Sequence, residues 1–85
     1  MQQEIIKHYG YKHQLYKLVE ELRELEEVII YHTDDEEHLK EEMADVINLI
    51  EQITDFRGWN ADVYGIKHFK IDRQLKRMES EVSNE

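Results

Sequence analysis

YKHQLYKLVEELRELEEVIIY (residues 11–31), HTDD (32–35) and EEHLKEEMADVINLIEQITDF (36–56) set two amphipathic segments on either side of a turn signal. In the first segment Leu15, Leu18, Leu22, Leu25 and Ile29 recur at intervals of three and four, the spacing of a helical stripe. In the second, Leu39, Met43, Val46, Ile50 and Ile53 do the same. Thr33-Asp34-Asp35 reads as the turn, and Thr33 or Asp34 is expected to cap the second helix. Asp35, Glu36 and Glu37 suit the positive end of its dipole. A connection this short makes the two helices antiparallel neighbours.

Working outward, residues 2–9 form a short helix that Gly10 interrupts. Arg57-Gly58-Trp59-Asn60 ends the second long helix, with Gly58 in the usual C-terminal position. A third long helix is expected from near Asn60 to about Glu81, and Ser80 to Glu85 should fray. Its candidate core residues are Val63, Ile66 or Phe69, Leu75 and Met78. With no proline, three glycines and helical spacing throughout, the fold class is all-α in one domain over residues 1–85. The antiparallel hairpin plus a third long helix is expected to complete a four-helix-type bundle by oligomerisation. A chain of 85 residues buries only a limited core, which favours a homodimer or homotetramer.

A net charge of -9 argues against nucleic acid as the main partner, because a duplex binder needs a basic stripe to displace counterions. The one basic concentration runs from Lys67 to Arg77. The absence of cysteine excludes disulfides and thiolate metal sites. No apolar run approaches the roughly 20 residues of a membrane helix, and Met1 to Gly10 lacks the apolar core of a signal peptide. The expectation is a cytoplasmic protein with no membrane partner.

Two pairs of acids stand out from the charge. Glu21 and Glu24 form an E-x-x-E pair in the first helix, and Glu42 and Asp45 an E-x-x-D pair in the second. Residues three apart share a helical face. In an antiparallel hairpin the two pairs fall at matching heights, given a rise of about 1.5 Å per residue. At about 100° per residue, Glu42 falls inside the apolar arc centred on Val46, and Asp45 at its edge with Asn48 one turn further on the same flank. Glu21 borders the first stripe, and Glu24 lies further out. Glu20 and Glu41 look solvent-facing, beside the pairs. An ionised acid placed inside an apolar arc needs a partner or a raised pKa. Salt bridges to Arg23 or Lys40 are one solution, and a shared divalent cation is the other. All-oxygen ligands suit Mg²⁺, or Mn²⁺, whose remaining waters leave positions for a phosphate oxygen and an attacking water.

Leu18-Val19-Glu20-Glu21-Leu22-Arg23-Glu24-Leu25, then Leu39-Lys40-Glu41-Glu42-Met43-Ala44-Asp45-Val46-Ile47-Asn48, then Lys70-Ile71-Asp72-Arg73 resembles the MazG-like nucleotide pyrophosphohydrolases of the all-α NTP pyrophosphohydrolase superfamily. The likeness runs from about Gln14 to about Met78 and is greatest to small phage-type or bacterial members. It implies hydrolysis of a nucleoside triphosphate to the monophosphate and pyrophosphate. It implies further that Glu21, Glu24, Glu42 and Asp45 ligate Mg²⁺. One of these acids, or Glu20 or Glu41 beside them, orients or deprotonates the attacking water. Lys70 and Arg73 bind phosphate, and Asn48 meets the sugar or base. Leu75 to Glu85 is generic helix where larger members carry a further motif. The family builds its site within a dimer or tetramer.

Other readings stay open. The chain also fits a non-catalytic helical oligomerisation or interaction module, or a degenerate member that binds nucleotide and metal without turnover. Lys17, one turn before Glu21, reads as solvated. The five histidines contain no H-x-x-x-H pair. Trp59 reads as the anchor of a helix end or an interface residue. Lys67 to Arg77 reads equally as phosphate contact or as internal charge balance.

Overall fold

Each break in the helical pattern has a local cause in the computed structural model, which describes residues 2–83. The helices are α1 (Gln2–Tyr9), α2 (Tyr11–Tyr31), α3 (Glu36–Arg57) and α4 (Asn60–Ser83). Gly10 separates α1 from α2 at φ 97° and ψ 147°, a backbone state reserved for glycine. At the tip of the hairpin the His32 N–H donates to Val28 O, and Thr33 Oγ1 donates to Ile29 O at 3.0 Å. Asp35 caps α3 by accepting from the His38 N–H at 3.2 Å. The cap is therefore Asp35, neither Thr33 nor Asp34. Thr33 is engaged in closing α2, and the chain needs one more residue to reverse direction. Gly58 ends α3 in the left-handed region at φ 67°, and the Trp59 N–H donates back to Thr54 O at 2.8 Å. Asn60 Nδ2 donates to Asp55 Oδ1 across this corner. The Arg57 guanidinium lies over the Trp59 ring at 4.4 Å, so Trp59 does anchor a helix end. α4 continues to Ser83, two residues past its expected end, and residues 84 and 85 lie outside the described part.

The α2–α3 hairpin is the body of the fold, with α1 laid against both helices and α4 touching only α3. The buried positions on α2 are Gln14, Glu21 and Val28, with Leu18 and Leu25 half-buried between them. On α3 they are Glu42, Val46, Leu49, Gln52 and Ile53, with Leu39 half-buried. Gln52 apart, these positions alternate by three and four, which keeps one narrow seam facing the partner helix. Ile6 of α1 closes the core near the N-terminus of the seam. The seam is displaced from the expected stripes. Leu15, Leu22 and Ile29 on α2, and Met43 and Ile50 on α3, stand on the adjoining strip and are exposed.

The strip matters as much as the seam. On both helices the acids flank the seam on one side and the exposed apolar residues flank it on the other. With antiparallel helices both acid flanks fall on one broad face of the hairpin. The apolar flanks fall on the opposite face. Val63, Ile66, Phe69, Leu75 and Met78 of α4 are exposed as well, so they form no core within one chain. The turn at Gly58 carries α4 away from α2, so that among the described residues α4 touches only α3.

Two glycine substitutions should act in opposite directions. Gly10→Ala places a Cβ in open space but at φ +97°, and is expected to cost about 1–3 kcal/mol. Gly65→Ala, inside α4 with nothing near its Cβ, should gain about 0.5–1 kcal/mol. Urea unfolding of both variants measures this, and a neutral Gly10→Ala would remove the role given to that backbone state.

Candidate metal centre

Glu21 and Glu42 occupy seam positions that an ordinary helical hairpin fills with leucine or valine. Glu21 retains 7% of its exposure and Glu42 retains 9%. Each has one carboxylate oxygen with a partner and one without. Glu21 Oε1 is 3.5 Å from Lys17 Nζ, and Glu42 Oε1 is 3.4 Å from His38 Nε2, each one turn away along its own helix. The two Oε2 atoms are buried and accept no hydrogen bond. Burying an unsatisfied carboxylate oxygen is costly.

Glu24 joins them from the solvent side. Carboxylate oxygens of Glu21, Glu24 and Glu42 lie within 4.8 Å of one another. Burial holds the Glu21 carboxyl above its ordinary value. The adjacent Glu24 carboxyl and the charge of Asp45 push in the same direction, against a smaller pull from Lys17. Asp45 is thus close enough for its charge to be felt, although it is exposed and stands outside the group of three. A cleft of 350 Å³ lined by Glu24, Glu27, Val28, His32, His38 and Glu42 opens the cluster to solvent.

The other residues singled out in the sequence fall around this centre. Glu20 is exposed and pairs with Lys17 at 3.3 Å. Lys17 is therefore half-buried and shared by two acids, where a solvated side chain was expected. Lys40 pairs with Glu37 at 3.3 Å, on the solvent side. Glu41 and Asn48 are exposed on α3. Lys70 and Arg73 are exposed on α4, which does not touch α2, so a single chain does not bring them to the cluster. His38 is a neighbour that the sequence reading did not pick, although its spacing of four before Glu42 is the signal for it. A second omission is the buried amide pair at the far end of the seam, where Gln14 Nε2 donates to Gln52 Oε1 at 2.8 Å. Gln14 continues the three-and-four alternation of α2, and Gln52 stands beside Ile53, one position off that of α3.

The donor set is all oxygen, compact and anionic, and two of its oxygens lack a partner. A hard divalent cation fits such a set. No family model, curated protein or solved structure matches this chain.

A prediction follows from the sign of the Glu21 shift. Above the ordinary carboxylate value of 4.5 the folded chain binds a proton that the unfolded chain has released. The charge on Glu21 therefore costs stability as pH rises through that window, and the cost is complete above it. Without metal, Glu21→Gln should be the more stable protein at pH 7, with the difference shrinking towards pH 4. Millimolar Mg²⁺ should raise the midpoint of the wild type and leave that of the variant unmoved. Thermal melts over pH with and without Mg²⁺ measure both effects, and a wild type that exceeds the variant at neutral pH without metal would contradict this assignment.

Proposed function

We propose that this chain is a Mg²⁺-dependent nucleoside triphosphate pyrophosphohydrolase of the MazG-like kind, converting a (d)NTP to a (d)NMP and pyrophosphate in the cytoplasm. The observation that carries the reading is the pair of buried, unpartnered oxygens on Glu21 and Glu42, gathered with Glu24 at one spot. An interaction module gains nothing from that arrangement, since a leucine at either seam position would be more stable. The ordered E-x-x-E and E-x-x-D pairs, followed by Lys70 and Arg73, add the family likeness.

In this reading Glu21, Glu24 and Glu42 hold the cation, with Asp45 completing the set from the flank. Bound there, Mg²⁺ or Mn²⁺ supplies positive charge to the substrate's phosphate oxygens. One of these four acids, or Glu20 or Glu41, both exposed, accepts the proton that water releases as its oxygen bonds to the α-phosphorus. The bond from that phosphorus to the departing pyrophosphate breaks in the same displacement. Lys70 and Arg73 bind phosphate and offset its charge. Asn48, on the Asp45 flank, meets the sugar or base. Because α4 does not approach the cluster within one chain, Lys70 and Arg73 act in a homodimer or homotetramer.

Incubation with a panel of dNTPs and NTPs in millimolar Mg²⁺ should release pyrophosphate from at least one nucleotide. Glu42→Gln should lower that release by more than about 100-fold while preserving the helical circular-dichroism signal. Silence across the whole panel, with Mg²⁺ still raising the melting midpoint, would leave a protein that binds metal without turnover. Silence without any metal response would favour the interaction module, whose support is the extent of exposed apolar helix surface.

A further inference from the structure

A second cleft opens on the acid flank of α2, towards its Gly10 end. It has a volume of 320 Å³, and Tyr9, His13, Gln14, Lys17 and Glu20 line it. None of them belongs to the group of three acids. Tyr9 and His13 also precede the stretch that resembles the MazG-like enzymes. The break at Gly10 shapes this cleft. Tyr9 ends α1, His13 stands in the first turn of α2, and their rings stack with centroids 5.2 Å apart and planes 18° from parallel. His8 meets Tyr9 edge-to-face at 4.7 Å, which holds the stack from one side. Both Tyr9 and His13 remain exposed. An exposed stack of this kind is a platform for a further flat ring.

The polar groups behind the stack are fixed. Gln14 is 4% exposed, and its Nε2 donates to Gln52 Oε1 at 2.8 Å. Its Oε1 lies 2.8 Å from His13 Nδ1. A carbonyl oxygen only accepts, so Nδ1 carries the proton and Nε2 of the uncharged ring is an acceptor. A satisfied buried network holds the imidazole in one tautomer, where apolar packing would leave it free to turn.

The position of the cleft along the hairpin gives it a use. Gln14 is level with Gln52. Counting from that pair along antiparallel helices, Leu18 is level with Asn48, Glu21 with Asp45 and Glu24 with Glu42. His13, Lys17, Glu20 and Glu24 follow one flank of α2 at intervals of four, three and four. Gln14 and Glu21 are about 10 Å apart along the axis, a span that a nucleotide bridges between its base and its first phosphate. Lys17 joins the two ends, since it lines the cleft and its Nζ is 3.5 Å from Glu21 Oε1. We propose that this cleft takes the nucleobase of the triphosphate whose phosphates meet the metal centre, an inference that rests on the pyrophosphohydrolase reading above. The base extends the Tyr9–His13 stack, and His13 Nε2 accepts from an N–H on its edge. Asn48 is then level with the sugar, and Lys17 stands at the first phosphate. Tyr9 and His13 bind substrate without touching the reacting atoms.

Isothermal titration of the full chain in millimolar Mg²⁺ tests it. The ligands are nucleoside α,β-imidotriphosphates of each standard base, ribo and deoxy, set against inorganic tripolyphosphate. At least one analogue should bind about ten-fold more tightly than tripolyphosphate, the worth of one stacked base. His13→Ala and Tyr9→Ala, both at exposed side chains, should each remove most of that margin and leave tripolyphosphate binding as it was. His13→Phe, which keeps a stacking ring without the acceptor, should retain part of the margin. A His13→Phe protein with the full margin would remove the role given to Nε2. Analogues no tighter than tripolyphosphate, or a margin that survives both alanine variants, would overturn the base assignment while the reading of metal and phosphate stood. If neither ligand binds, the pyrophosphohydrolase reading falls and this inference falls with it.

Discussion

The seam of the hairpin is held by a compromise between packing and charge, and the rest of the molecule is arranged around it. Val28, Val46, Leu49 and Ile53 give the two helices a reason to close. Glu21 and Glu42, buried in the same seam, give them a reason to open. Each acid has one base beside it on its own helix, Lys17 or His38, which engages one oxygen and leaves the other buried without a hydrogen-bond partner. Both bases stand one turn away from their acids along the same helix.

The register of this compromise was only partly legible in the sequence. Helix number, helix ends and the glycines that divide them follow from local chemistry, and local chemistry is written residue by residue. Gly10 and Gly58 are the clearest cases, both at positive φ. The phase of the seam is a different matter. α2 has two candidate stripes, and the more hydrophobic one, through Leu15, Leu22 and Ile29, remains outside. The buried one contains Gln14 and Glu21. A reading that maximises apolar burial in one chain chooses the wrong stripe, because it assumes that the chain must satisfy its apolar surface alone. The pairing of Gln14 with Gln52 shows how polar seam positions are satisfied once their partners across the hairpin are known. No residue-by-residue reading supplies such partners.

The same distinction explains the candidate site. Glu21, Glu24 and Glu42 share a spacing and a height along the hairpin, and both are readable from a helical wheel. Such a wheel brings four acids to one side, of which Glu21, Glu24 and Glu42 offer oxygens within 4.8 Å of one another while Asp45 stands outside that group. Lys17 and His38 were not read as part of it, because a base one turn away is common on any charged helix and gains meaning only when its acid is buried. Lys70 and Arg73 lie on α4, which among the described residues touches only α3. The surplus of apolar surface on α4 and on one face of the hairpin is thus the counterpart of the acid surplus on the other.

The convergence of acids on one ion is tested most directly by counting bound ions. Electron paramagnetic resonance of Mn²⁺ reads the free ion, so a titration of the full chain gives affinity and stoichiometry without a substrate. Binding at Glu21, Glu24 and Glu42 predicts saturable uptake by the wild type, competition by Mg²⁺, and loss of uptake in both Glu21→Gln and Glu42→Gln with the fold retained. Uptake that is unchanged in those two variants, or no greater than that caused by the protein's general negative charge, would contradict it.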